Sequence, residues 1–93
     1  MSTLDQIAKN IIKEQELIIG PVAWSEAKKV NGLHIEGRNF SEIRMEVENI
    51  EVIDKLVRQY ERLFGRASTE VCKDAASILI RSLPSNQVPN SLR

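Results

Sequence analysis

Residues 50–64, IEVIDKLVRQYERLF, carry the clearest structural pattern in the chain. Apolar side chains recur there every three or four positions, which is the pattern of an amphipathic helix. Acidic residues stand near its start and basic residues near its end, an order that the helix dipole favours. The sequence therefore predicts a helix that ends at Gly65 and buries one stripe of side chains, made of Ile50, Ile53, Leu56, Val57, Tyr60, Leu63 and Phe64.

A second amphipathic helix follows, predicted over residues 69–83 with Ser68 as its N-cap. Pro84 stops it, because proline lacks the N–H that a helix interior needs. Together the two helices predict a C-terminal αα-hairpin that holds most of the apolar residues. Beyond it the chain is polar, so we expect a single compact helical domain over residues 1–84 and a disordered tail over residues 85–93.

Upstream of these helices the hydrophobic pattern changes to a period of two. Apolar and polar residues alternate across residues 33–36 and again across residues 42–48, which is typical of half-buried strands. We therefore expect a β-hairpin over residues 33–47 that turns at residues 37–39. The apolar positions of its two strands are Leu33, Ile35, Ile43, Met45 and Val47.

The N-terminal third predicts two more helices. Residues 4–19 repeat apolar side chains at helical spacing, and Gly20-Pro21 interrupts the repeat, because proline disfavours helical geometry in the residue before it. We expect a second helix over residues 21–30, with a single kinked helix as the alternative. Asn31-Gly32 fits the left-handed end of that helix better than a hairpin turn. The fold class is therefore mainly α with a minor β part, in the order α-α-(β-hairpin)-α-α.

Composition narrows the classes of function. The chain has 93 residues, enough for one domain, and its 13 basic residues balance 13 acidic ones. A dedicated nucleic-acid binder usually carries a basic excess, so a nucleic-acid partner is disfavoured but not excluded. The single cysteine forms no internal disulfide, and the first residues lack the pattern of a signal peptide, so we expect a reducing, cytoplasmic setting. No apolar run is long enough to span a membrane.

The residues that could carry catalysis are too few for an active site. The chain has one cysteine, Cys72, and one histidine, His34. Cys72 falls on the apolar stripe of the fourth helix, where an inert core thiol is the usual outcome. His34 alternates with apolar neighbours and points away from them. Without a second histidine or a cysteine pair we expect no structural zinc site, and the four scattered glycines fit no cofactor-binding motif. We therefore expect a protein that is not an enzyme.

A protein partner is the leading expectation. Four amphipathic helices and a small hairpin present more apolar surface than one thin core readily covers. Trp24, the only tryptophan, is a natural interface anchor beside the Gly-Pro break, although a core position explains it as well. We expect a non-enzymatic interaction module, a homodimer that acts as an adaptor or regulatory partner. Its candidate interface residues are Trp24, Ile18, Ile35, Ile43 and Met45.

The alternative is a small DNA-binding regulator that uses a helix-turn-helix-like pair, residues 50–64 and 69–83. A short turn with a glycine joins the two helices, as in that motif. Acidic Glu70 and Asp74 near the start of the second helix would face phosphates, which is unfavourable. The candidate phosphate contacts, which the helix dipole also explains, are Lys55, Arg58, Arg62 and Arg66.

Overall fold

A computed structural model describes residues 3–36, 42–45 and 50–92 of the chain. The predicted mainly α fold is confirmed, with the two strands lying between the second and third helices. In the described ranges the helices are α1 (Thr3–Ile19), α2 (Val22–Ala27), α3 (Ile50–Phe64) and α4 (Arg66–Ile80), and the strands are β1 (Leu33–Glu36) and β2 (Glu42–Met45).

The core forms around one face of α1. Ile7, Ile11 and Ile12 have no exposed surface, and α1 contacts α2, α3, α4 and β2. Gln15 continues this buried face where the helical repeat calls for an apolar residue. Its Nε2 donates to the carbonyl oxygen of Ser68 at 3.0 Å, and this hydrogen bond ties α1 to α4.

The break at Gly20-Pro21 separates two helices, so the alternative of one kinked helix is wrong. Gly20 takes a φ of 76°, a left-handed value that glycine adopts without strain, and α2 begins at Val22. The phenol of Tyr60 then donates to the carbonyl oxygen of Ala23 at 2.7 Å. This buried hydrogen bond holds the short α2 against α3.

The strands pair antiparallel, with Leu33 opposite Met45 and Ile35 opposite Ile43. Leu33 and Ile43 are buried in the core, and Ile35 packs against it from a half-buried position. The hairpin prediction is therefore confirmed for these strands. The predicted turn at residues 37–39 and the predicted continuation to Val47 lie outside the described residues.

The fourth helix begins and ends three residues earlier than predicted. Gly65, at a φ of 85°, reverses the chain in one residue, so α4 starts at Arg66 and Ser68 lies inside its first turn rather than capping it. At the other end the N–H groups of Ser82 and Leu83 bond to the carbonyls of Leu79 and Ile80 in a turn before Pro84. The residue before a proline avoids helical geometry, which keeps Leu83 out of the helix.

The predicted stripe of α3 is buried only in part. Ile53, Leu56, Val57 and Tyr60 are core residues, but Leu63 and Phe64 at the C-terminal end are exposed. The chain leaves α3 at Gly65 before any element covers these last two side chains. Helical spacing therefore predicted correctly which side of α3 faces the core. It was wrong about the last turn, where the same side is exposed.

The C-terminal segment corrects the prediction of a disordered tail. Residues 85–92 form two 3-10 turns, Ser85–Gln87 and Asn90–Leu92, and the second contacts both α3 and α4. Leu92 joins the core, and the N–H and hydroxyl of Ser91 donate to Oδ1 of Asp54 at 2.9 and 2.6 Å. A mostly polar composition hid this docking, because it depends on a few buried apolar side chains, Val88, Pro89 and Leu92, and on one carboxylate far away in sequence.

Gly32 provides a test of the turn that leads into β1. It precedes the strand, so Asn31-Gly32 is not the turn of the hairpin, and it takes a φ of 90°. A Cβ at Gly32 would lie 3.1 Å from Cγ2 of Val52, whereas a Cβ at Gly20 would meet nothing within 4 Å. Both glycines have left-handed backbones, so Gly20→Ala is a matched control.

We expect Gly32→Ala to lower the free energy of unfolding by about 2 kcal/mol, and Gly20→Ala by about 1 kcal/mol, as measured by urea denaturation. The difference between the two variants reports the crowding against Val52. Equal losses in both variants would contradict the packing described for this turn.

Candidate functional site

The predicted interface residues do not share one surface. Trp24 is only 7% exposed, and its Nε1 donates to Oε2 of Glu16 at 2.7 Å. Ile43 is fully buried. Both residues therefore belong to the core, which corrects their assignment to an interface. From the sequence, a tryptophan in a short helix is equally compatible with the core and with an interface. The packing of α2 against the rest of the protein decides which of the two it occupies.

The remaining members of that set divide in the same way. Ile35 packs against the core from a half-buried position, and the side chain of Met45 lies outside the described part of the structure. Ile18 is 63% exposed at the end of α1. Of the predicted interface residues whose side chains are described, Ile18 is the most accessible.

Ile18 helps to line a groove between α1 and α4. The groove has a volume of about 290 Å³ and is lined by Glu14, Ile18, Val71, Asp74 and Ala75. Ile78 lies one helical turn beyond the groove on α4 and is 77% exposed. The groove therefore has both charged and apolar lining residues and lies next to an exposed isoleucine.

Two charged residues, Asp74 and Arg81, flank Ile78 along α4. Asp74 precedes Ile78 by four residues and Arg81 follows it by three, so all three share one side of the helix. The buried residues of α4, Ser68 and Cys72 among them, lie on the opposite side. We call the side that carries Asp74, Ile78 and Arg81, together with the groove, the α4 face.

A second surface brings together most of the predicted phosphate contacts. Lys55, Arg58 and Arg62 lie along α3 and line a cleft of about 250 Å³, which we call the basic cleft. Gln59 also lines it from α3, while Lys29 and Asn31 line it from the turn after α2. Arg66 is not among the lining residues, so three of the four predicted phosphate contacts share the cleft and the fourth lies outside it.

No sequence pattern predicted the cleft residues that come from the turn after α2. Lys29 and Asn31 stand more than twenty residues before Lys55, in a segment whose helical pattern explains Lys29 as a solvent-exposed residue. They reach the cleft because the hydrogen bond from Tyr60 to Ala23 holds α2 against α3. This juxtaposition is tertiary, and no local spacing predicts it.

Glu26 organises the edge of the basic cleft. Its carboxylate accepts from Nζ of Lys29 at 2.9 Å and from Nε2 of Gln59 at 2.7 Å. The hydrogen bonds from Lys29 and Gln59 lower the pKa of the Glu26 carboxyl below its usual value. Gln59 in turn accepts from Nη2 of Arg62 at 3.1 Å. Glu26 is therefore anionic near neutral pH and holds three cleft side chains in one network.

The two residues considered for nucleophilic chemistry lie in different environments. Cys72 is fully buried in α4, and burial raises the pKa of its thiol to about 11, although a hydrogen bond from Gln15 opposes the shift. His34 is exposed on β1. A neutral, buried thiol is a poor nucleophile, because the thiolate is the reactive form.

Within residues 3–36, 42–45 and 50–92, no three side chains of His, Cys, Asp or Glu are grouped so that they could hold a metal ion. Within the same ranges no helix is both long and apolar enough to cross a membrane. No protein-family model, curated protein or solved structure matches the chain.

We expect Cys72 to resist thiol reagents in the folded protein. At pH 8 the raised pKa lowers the thiolate fraction roughly 100-fold relative to an exposed cysteine, and burial blocks access as well. Labelling with Ellman's reagent at pH 8 should therefore be slow in buffer and rapid in denaturing urea. Rapid labelling of the folded protein would contradict the buried position of Cys72.

The same burial predicts that stability falls at alkaline pH. The thiol of Cys72 ionises near 9.0 in the unfolded chain but near 11 when folded, so its contribution is complete below pH 9 and is lost as the pH rises towards 11. Burial also raises the pKa of the Tyr60 phenol, which acts in the same direction.

The measurement is urea unfolding at several pH values from 8 to 11. The free energy of unfolding should decrease over this range, and its pH dependence should be weaker in Cys72→Ala and in Tyr60→Phe than in the unaltered protein. A profile that both substitutions leave unchanged would contradict the prediction.

Proposed function

We propose that the protein is a non-enzymatic interaction module that associates with a second copy of itself through the α4 face. The observation that carries the proposal is Ile78, which is 77% exposed beside the groove. This exposed isoleucine, flanked by charged residues of both signs, can serve as the centre of a self-complementary contact. A module of this kind serves as an adaptor or regulatory partner.

The charges of the α4 face favour a second copy as the occupant. Asp74 and Arg81 are seven residues apart, which is about two helical turns, with Ile78 between them. When two α4 helices pair antiparallel about an axis near residue 78, Ile78 of each copy packs against Ile78 of the other. The same pairing brings Arg81 of each copy towards Asp74 of the other, so opposite charges meet on both sides of the two-fold axis.

Two-fold symmetry strengthens this argument. Each pairing of Asp74 with Arg81 occurs twice in a dimer of this type, and both copies of Ile78 lie together at the two-fold axis. A groove with only acidic residues at its rim would repel its own copy. Arg81 supplies the missing positive charge from the same helix, which is the arrangement that a self-complementary surface needs.

DNA binding by α3 and α4 has weaker support. The gathering of Lys55, Arg58 and Arg62 favours an anionic partner of some kind. However, Glu70 and Asp74 are both exposed on α4, the helix that would have to enter the major groove. Acidic side chains at that position oppose the approach of phosphates.

Sedimentation equilibrium from micromolar to millimolar concentration tests the proposal. We expect the mass to rise from that of the 10.5 kDa monomer towards that of a dimer. Ile78→Glu should weaken association roughly 100-fold, because each of two symmetry-related side chains contributes about 1.5 kcal/mol or more of apolar burial. Leu63→Glu is the matched control, since Leu63 is an exposed apolar residue of α3 that is not on the α4 face.

A charge exchange tests the pairing itself. Asp74→Arg and Arg81→Asp should each weaken the dimer, because each places like charges together twice. The double variant D74R/R81D should associate more strongly than either single variant. A monomer at every concentration would refute the proposal, and equal losses in Ile78→Glu and Leu63→Glu would place the contact elsewhere.

A further inference from the structure

The basic cleft concentrates positive charge from two separate elements. Lys55, Arg58 and Arg62 are spaced three and four residues apart, so they follow one side of α3 over about 10 Å. Lys29 faces the same cleft from the turn after α2. Cations on two walls of one concave space can surround a small anion, whereas a flat stripe can only touch it from one side.

Much of this charge is not neutralised by the protein. Lys29 pairs with Glu26, and Arg62 donates to Gln59. Neither Lys55 nor Arg58 forms an ion pair with another residue of the described ranges. Four cations against the carboxylates of Glu26 and of Glu51, which lies one helical turn before Lys55, leave a net charge of plus two around the cleft, which favours a ligand with several negative charges.

The side chains favour phosphate over a single carboxylate. The two arginines present planar guanidinium groups whose paired N–H donors match two oxygens of a phosphate group. Gln59 and Asn31 add neutral amide groups at the same cleft. The network from Glu26 through Gln59 to Arg62 restrains the position of one guanidinium before any ligand arrives.

The shape of the cleft favours a compact ligand. Its volume of about 250 Å³ lies just below the range of typical small-molecule pockets. Arg66, the next cation along the predicted stripe, lies outside the lining. An extended nucleic-acid backbone would need cations spread along a line. In this structure four cations instead line the same small cleft.

We propose that the basic cleft binds a compact phosphate anion with several charges, of the class of pyrophosphate and the phosphate chain of a nucleotide. Lys55 and Arg58 contact the anion directly, Arg62 holds it in the orientation that Gln59 sets, and Lys29 exchanges its bond with Glu26 for one with the ligand. The site shares no residue with the α4 face, so the two proposals succeed or fail separately.

Isothermal titration of the full chain with sodium pyrophosphate at low salt tests this inference. Arg58→Gln should weaken binding about tenfold or more, because it removes a charged donor from the anion. Arg66→Gln is the matched control, since it removes the same charge from an exposed site outside the cleft, and its affinity should stay within about twofold. Circular dichroism of each variant verifies that the fold is intact.

Glu26→Gln gives a change of the opposite sign. It frees Lys29 and raises the net charge of the cleft, so it should tighten pyrophosphate binding severalfold. An unchanged or weaker affinity would show that Lys29 does not contact the anion. The proposal would then fail, because it requires cations from two separate elements to bind the same ligand. A variant that gains affinity cannot be explained by a loss of folding.

Further titrations distinguish the sources of the phosphate. ATP that binds more tightly than pyrophosphate identifies a nucleotide ligand, and equal or weaker binding identifies the phosphate chain alone; both outcomes support the site. The inference is overturned if pyrophosphate does not bind at low salt, or if Arg58→Gln and Arg66→Gln weaken it equally. Binding of duplex DNA without binding of pyrophosphate also overturns it and points to an extended stripe.

Discussion

The rest of the structure depends on the burial of one face of α1. Four elements, α2, α3, α4 and β2, contact this helix, and its isoleucines have no exposed surface. A chain of 93 residues buries a smaller share of its surface than a large domain does. Packing four elements on one helix allows such a short chain to form a single core. Each element that packs on α1 turns one side towards it and leaves the other outside.

The hydrogen bond of Gln15 sets how α1 and α4 align. Its Nε2 reaches the carbonyl of Ser68 at 3.0 Å, and a shift of one helical turn would move the two atoms about 5.4 Å along the axis. Within the described residues Oε1 of Gln15 has no hydrogen-bond partner, so the buried amide is an imperfect stabiliser. Its contribution is the alignment, which places Glu14 and Ile18 beside Val71 and Asp74 to form the groove.

The sequence predicted those parts of the fold that local spacing controls. The bounds of α3, the break at Gly20-Pro21 and the two strands follow from periodicity and from the backbone preferences of glycine and proline. The site residues were harder to predict because exposure depends on which elements meet. Trp24 is buried because α2 packs inwards, and the convergence of Lys29 with Arg58 depends on a hydrogen bond between Tyr60 and Ala23.

A net charge of zero conceals an uneven distribution of charge. The basic cleft holds an excess of cations, and two copies that met through it would repel each other. The α4 face instead carries Asp74 and Arg81 on either side of Ile78, an order that complements itself when two helices run antiparallel. Because α3 and the turn after α2 supply one surface while α1 and α4 supply the other, the proposed binding of an anion in the cleft is compatible with the proposed pairing through the α4 face. Charge segregation on one small core thus allows two separate contacts in a protein that composition alone describes as neutral.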